Sequence, residues 1–205
     1  MDTLYRASWD QAHFAAAHFE MAGICLLQAD LEGSLDHLNL SISMNDRNPE
    51  AHALKAAVLR HMGDEEAAFI QAKRTRLLDP LDHLSAYELF LINKVTASEF
   101  SNLMNNNQEN YLELASDYLS AGLLEEAAGV VDLALDTEGV KTSSTAMLLY
   151  YSAYLAERLG KRNKADSAYI AASQASTDYA FPFRYESLEI LESALRFNHK
   201  DSRAW

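Results

Sequence analysis

The chain has 205 residues, a formal net charge of −13, one cysteine and 49% apolar residues, with only 3 Pro and 7 Gly. This composition can build a continuous apolar core, excludes an internal disulfide framework, and argues against a nucleic-acid partner because phosphate binding needs clustered Lys and Arg. No apolar run approaches the ~18 residues of a membrane span, so we expect no membrane partner and a cytoplasmic location, with a signal peptide upstream of residue 1 as the open alternative.

A spacing of 34 residues relates the first helical segments of the chain. Ala22 and Ala56 are separated by this interval, and so are Ser34 and Ala68. Two helices that cross at close distance need side chains little larger than a methyl group where their backbones meet. A period of about 34 residues with small residues at fixed phases therefore predicts a helix-turn-helix repeat array.

The clearest unit runs from residue 49 to residue 80. Asn48 can accept hydrogen bonds from free first-turn amides, and Pro49 supplies a preset φ where no N–H is needed. Gly63 permits the left-handed residue that ends the first helix. Further along, Thr96 with Glu99 three residues later predicts a capping box at the start of a short helix.

The same phases divide the chain into units of one domain, 1–205. The predicted units are about 15–48, 49–80, an irregular helix pair at 81–107, 108–137, 146–177 and a degenerate half unit at 182–199. The two later full units carry small or aromatic residues at the repeat phases: Tyr111, Leu114, Ala115, Tyr118, Gly122, Ala127 and Ala134, then Ala153, Gly160, Ala165, Tyr169 and Ala172.

These phases resemble the tetratricopeptide repeat (TPR) family. The resemblance implies an all-α fold, an α-solenoid of antiparallel helix pairs interrupted by irregular helices. It also implies a non-catalytic scaffold that binds proteins or peptides on a concave surface lined by the first helix of each pair. In this family the second, fifth, ninth, twelfth and thirteenth positions usually face that groove. Carried onto this chain, they give the candidate ligand residues Phe19, Glu50, Arg60, His61, Leu112, Ser116, Tyr150, Tyr154 and Arg158.

The predicted groove is apolar and aromatic, with Arg60 and Arg158 as isolated cations. Members that clamp a terminal carboxylate use Lys and Asn at the fifth and ninth positions, and this chain has neither there, so we expect a helix or an extended apolar segment as ligand. The alternative for Tyr150 and Tyr154 is that they pack on the extra helices around residues 82–105.

No pattern in the sequence indicates catalysis, a metal or a cofactor. His13 and His18 are about 140° apart around a helix and cannot share a metal without another element. His52 occupies an aromatic repeat position, which favours packing, and Cys25 lies at an inward phase, which favours a small core residue over a reactive thiol. We therefore expect no enzyme activity, no metal and no cofactor.

A narrower resemblance covers almost the whole chain. The runs LKAAVLRHMG and LLDPLDHLSA and the YAFPFR loop before a single helix look like the helical tail of bacterial multidomain proteins with an uncharacterised, carbohydrate-related N-terminal domain. This implies a second function, a structural tail docked on a missing domain of the same polypeptide. The repeat phase of Leu4, Ala7 and Trp205 also predicts that both ends are cuts, with Trp205 in the first turn of a further helix. Oligomeric state is left open.

Overall fold

The computed structural model describes residues 1–136, 145–176, 182 and 184–205. These residues form twelve α-helices and no strand, which confirms the all-α prediction. Within these ranges no helix combines the length and the apolar character needed to cross a membrane. The chain divides into two compact units, Met1–Asn105 and Asn106–Trp205, each described here by itself.

Unit 1 holds seven helices and unit 2 holds five among the described residues. In unit 1 they are α1 (Asp2–Ala7), α2 (Phe14–Leu27), α3 (Leu31–Met44), α4 (Pro49–His61), α5 (Glu65–Leu78), α6 (His83–Leu91) and α7 (Ala97–Leu103). In unit 2 they are α8 (Gln108–Ser120), α9 (Leu124–Asp136), α10 (Thr145–Arg158), α11 (Arg162–Gln174) and α12 (Tyr185–Phe197).

Consecutive helices pack as TPR-like antiparallel pairs. The closest partners are α2 with α3, α4 with α5, α8 with α9 and α10 with α11, and within a unit the second helix of a pair also packs on the first helix of the next. The small residues predicted at the crossings, Ala22, Ser34, Ala56 and Ala68, are completely buried. Small side chains let the backbones approach, and the apolar stripes of both helices then leave water together.

Hydrogen bonds between helices repeat with the sequence period. Two bonds tie α2 to α3, and two bonds between residues 34 positions further on tie α4 to α5. The four are Ser41 Oγ to Ala15 O (2.8 Å) and Thr75 Oγ1 to Pro49 O (3.5 Å), then His18 Nδ1 with His37 Nδ1 (2.9 Å) and His52 Nδ1 with Gln71 Oε1 (2.8 Å). The period therefore fixes buried polar contacts as well as apolar packing, and His52 has the structural role predicted for it.

The predicted helix boundaries are made by the residues expected to make them. Asn48 Oδ1 accepts hydrogen bonds from the amides of Glu50 (3.1 Å) and Ala51 (3.4 Å), and Thr96 with Glu99 forms the complete capping box. These side chains satisfy first-turn amides that have no partner inside the helix.

Left-handed residues end four first helices. Gly63, Gly122 and Gly160 have φ values of 84°, 77° and 71°, as their positions predict. The equivalent residue between α2 and α3, 34 positions before Gly63, is Ala29, which adopts φ 58° although its Cβ disfavours that region. The turn geometry of the repeat thus overrides the residue's own preference at this point.

Some sequence predictions fail or fall outside the described residues. Trp205 does not begin a further helix, because no residue after α12 is helical. Most of the YAFPFR loop, and the predicted unit ends at 137 and 177, lie outside the described part of the chain. Cys25 is buried as expected, and burial raises the pKa of its thiol. The single-domain assignment stays a prediction.

Candidate functional site

The candidate ligand residues lie on the first helices of the pairs, and we call this face of each unit its first-helix wall. In unit 1 the wall is formed by α2 and α4. Phe19 on α2 is half-buried, and Glu50 and His61 on α4 are exposed. Near Phe19, Leu27 is 61% exposed, and a Cβ built on Gly23 meets nothing within 4 Å. The α2 part of this wall therefore presents apolar side chains beside open space.

Arg60 of the same wall is bound within unit 1. Its Nε and Nη2 donate to Glu88 Oε2 (2.6 Å) and Oε1 (3.3 Å) on α6, and the side chain of Glu88 is only 1% exposed. A buried carboxylate needs a paired cation and hydrogen bonds, because desolvation otherwise disfavours its charge. The prediction that Arg60 is an isolated cation is wrong, since its partner comes from the irregular helix pair that the repeat pattern does not describe.

Leu112 and Ser116, predicted to face the groove in unit 2, lie inside the unit. Both are buried, and the Ser116 hydroxyl is 2.9 Å from the Tyr151 hydroxyl on α10. The neighbouring pair of helices covers this part of α8, so neither side chain contacts solvent in this structure.

Tyr150 and Tyr154 on α10 are also buried, at 1% and 3% exposure. The Tyr150 hydroxyl donates to Asp201 Oδ2 (2.8 Å), and the Tyr154 hydroxyl donates to Glu189 Oε1 (2.7 Å). Burial, reinforced by these carboxylates, raises the pKa of both phenols. The packing partner of the two tyrosines is thus the C-terminal segment of their own unit.

Arg158, the other predicted isolated cation, is bound to the same group. Its Nη1 donates to the Tyr154 hydroxyl (2.6 Å) and lies 4.0 Å from Glu189 Oε1. The prediction of an isolated cation is therefore wrong at this position too. Arg158 joins a short chain of polar groups that runs from the wall onto α12.

Helix α12 lies across the first-helix wall of unit 2. At its N-terminal end, Glu186 Oε1 accepts a hydrogen bond from Ser120 Oγ of α8 (3.4 Å), and Arg184 Nη2 is 4.0 Å from Glu113 Oε2 of α8. At its C-terminal end, Ser193 Oγ donates to Glu157 Oε2 of α10 (2.7 Å). Because α12 reaches both α8 and α10, the chain itself occupies the wall that the sequence assigns to a ligand.

A cleft beside α12 contains a compact network of hydroxyl and carboxylate groups. Tyr169 donates to Glu157 Oε2 (2.8 Å), in addition to the bond from Ser193, and these bonds lower the pKa of Glu157, with that from Ser193 contributing most. Two arginines and two acids line the cleft together, so its lining carries no net charge: Arg162, Arg196, Glu157 and Asp166. The network joins α10, α11 and α12 and has a structural role.

The sequence does not predict the contact between His18 and His37. Their Nδ1 atoms are 2.9 Å apart, so one ring donates to the other, and burial together with His37 lowers the pKa of His18. The 34-residue spacing to His52 and Gln71 is the signal that identifies the pair. Among the residues that the structure describes, no three His, Cys, Asp or Glu side chains are grouped so that they could hold a metal ion.

Comparison with known proteins gives structural similarity only. No protein-family model matches the chain, and no curated protein matches it. MamA from residue 41 to its end, from Desulfovibrio magneticus RS-1, is similar at 15% identity over 82% of this chain and 97% of that chain, with a TM-score of 0.42. A crystal structure of MamA protein gives 13% identity, coverage of 84% and 99%, and a TM-score of 0.43. Similarity at this level gives no ground for transferring a role.

Proposed function

We propose that this chain is a non-catalytic protein-interaction scaffold whose first-helix walls receive helical or extended apolar segments. The observation that carries the proposal is the position of α12, which is held across α8 and α10 by side chains of both helices. A wall that accommodates a helix of its own chain has the shape and polar groups needed to accommodate a helix from another. TPR-like folds are consistent with such a role, because stacked pairs leave one face of every first helix uncovered.

In unit 1 we assign the ligand surface to the α2 part of the wall. Leu27 is largely exposed and Phe19 half-exposed, and the missing side chain at Gly23 leaves space between them. An amphipathic helix binds to such a surface by placing apolar side chains three or four residues apart against it. Phe19, Glu50 and His61 remain ligand candidates here, whereas Arg60 acts through α6.

A peptide selection with matched variants tests this assignment. A displayed library of amphipathic helical peptides is selected on the full chain, and the selected peptide is measured by fluorescence anisotropy. Leu27→Glu places a charge in the apolar contact and is expected to weaken binding at least about tenfold, or about 1.4 kcal/mol. Leu77→Glu, at an equally exposed leucine on the second helix α5, is the control and should leave the affinity unchanged.

Equal affinity of both variants would place the ligand elsewhere and refute the assignment. The alternative function, a structural tail docked on another domain of a longer polypeptide, predicts a different outcome from the same variants. No selected peptide would then respond to Leu27→Glu. Instead, this substitution in the longer polypeptide would release the neighbouring domain, detectable as increased protease sensitivity between the two.

A further inference from the structure

We infer that α12 is an exchangeable occupant of unit 2, and that the wall beneath it is a binding site for an acidic amphipathic helix of a partner protein. The inference extends the proposed function from the α2 wall of unit 1 to a different surface. It rests on that function only in treating first-helix walls as receptors for helices. Its test uses unit 2 residues alone, so the two proposals can fail separately.

The first argument is that α12 is weakly anchored. Of its buried residues, Ser187, Ile190, Ser193 and Ala194, only Ile190 is a large apolar side chain. By contrast, α10 buries several large side chains: Met147, Leu148, Tyr150, Tyr151, Tyr154 and Leu155. Helices with few buried apolar contacts open at a smaller cost in free energy than the rest of a fold. We therefore expect α12 to leave the wall while α8 to α11 stay folded.

The second argument is that the polar contacts of α12 can be remade with another helix or with water. The Glu189 side chain is 66% exposed and that of Arg158 is 48% exposed, so this pair is open to solvent. Exposed contacts of this kind contribute little net stability, because water replaces each partner when the helix leaves. They select among ligands more than they hold α12 in place.

The third argument concerns the chemistry of the partner. Glu186 and Glu189, three residues apart, accept bonds from Ser120 and Tyr154 respectively, and the buried Ile190 follows at once. A competing helix needs the same face: two carboxylates three positions apart and an aliphatic side chain next to the second. This pattern defines an acidic amphipathic helix, which meets hydroxyl donors and Arg158 on the wall.

A labelled peptide of residues 184–201 added to the full chain tests the inference. We expect weak saturable binding to the unaltered chain, measured by anisotropy. Ile190→Ala in the chain loosens α12 and should tighten peptide binding at least about tenfold, because the apparent dissociation constant falls as the open fraction of the wall rises. Leu188→Ala, at an exposed residue of the same helix, is the matched control and should change nothing.

The peptide variants complete the experiment. A peptide with Glu189→Gln should bind several-fold more weakly to the Ile190→Ala chain, since it loses the acceptor for Tyr154. If Ile190→Ala unfolds unit 2 by circular dichroism, Glu189→Gln in the chain replaces it and should tighten binding of the unaltered peptide several-fold. Absence of saturable binding, or equal affinity for the chain variant and the unaltered chain, would overturn the inference. So would dimerisation of the variant through exchange of α12, because a second copy would then be the occupant.

Discussion

The left-handed residue at Ala29 provides the sharpest test of the repeat argument. Ala29 and Gly63 occupy equivalent turns 34 residues apart, with φ of 58° and 84°. A non-glycine residue in this region is strained by roughly 1–2 kcal/mol. Glycine avoids that strain but loses about 0.5–1 kcal/mol more conformational entropy on folding. Ala29→Gly should therefore raise the free energy of unfolding by about 0.5–1 kcal/mol, whereas Gly63→Ala should lower it by a similar amount.

Geometry makes the two substitutions a matched pair. A Cβ at Gly63 would meet nothing within 4 Å, so the cost there comes from the backbone and not from a clash. Both positions belong to unit 1 and should affect the same transition. Urea denaturation followed by circular dichroism measures the change, and an unchanged m value shows that the unfolded reference is the same. Destabilisation by Ala29→Gly, or an effect of the same sign at both positions, would refute the equivalence of the two turns.

Three further predictions concern charged and titrating groups. Arg60→Met leaves the buried carboxylate of Glu88 without this cation and should lower the free energy of unfolding by about 3 kcal/mol, with partial recovery when Glu88→Gln is added; equal costs alone and together would contradict this. Ser193→Ala removes the main cause of the lowered pKa of Glu157, so an NMR titration should show that pKa rising. Because His18 has a pKa lowered from 6.5, the unfolded chain takes up its proton more readily, and the urea midpoint should fall as pH drops below 6.5; His18→Phe should reduce that fall.

The helix pairs and their boundaries were predictable because they depend on neighbours in sequence. The caps at Asn48 and Thr96 and the turn at Gly63 each act over three or four residues, so local chemistry specifies them. The crossing residues Ala22 and Ala56 follow from the repeat period, which is also visible in one dimension. The failure at Ala29 is consistent with this, since the period and not the residue determines that turn.

The candidate site was predictable only in part, because exposure depends on which distant segment covers a helix. The sequence by itself determined the repeat, the helix termini and which faces of the first helices could bind a ligand. Only the tertiary structure decided that Glu88 neutralises Arg60 and that α12 covers Tyr154. The physical reason is that a buried charge or phenol is stabilised by whichever partner lies within hydrogen-bond distance after packing. These partners come from the irregular helices, where the period of the chain carries no information.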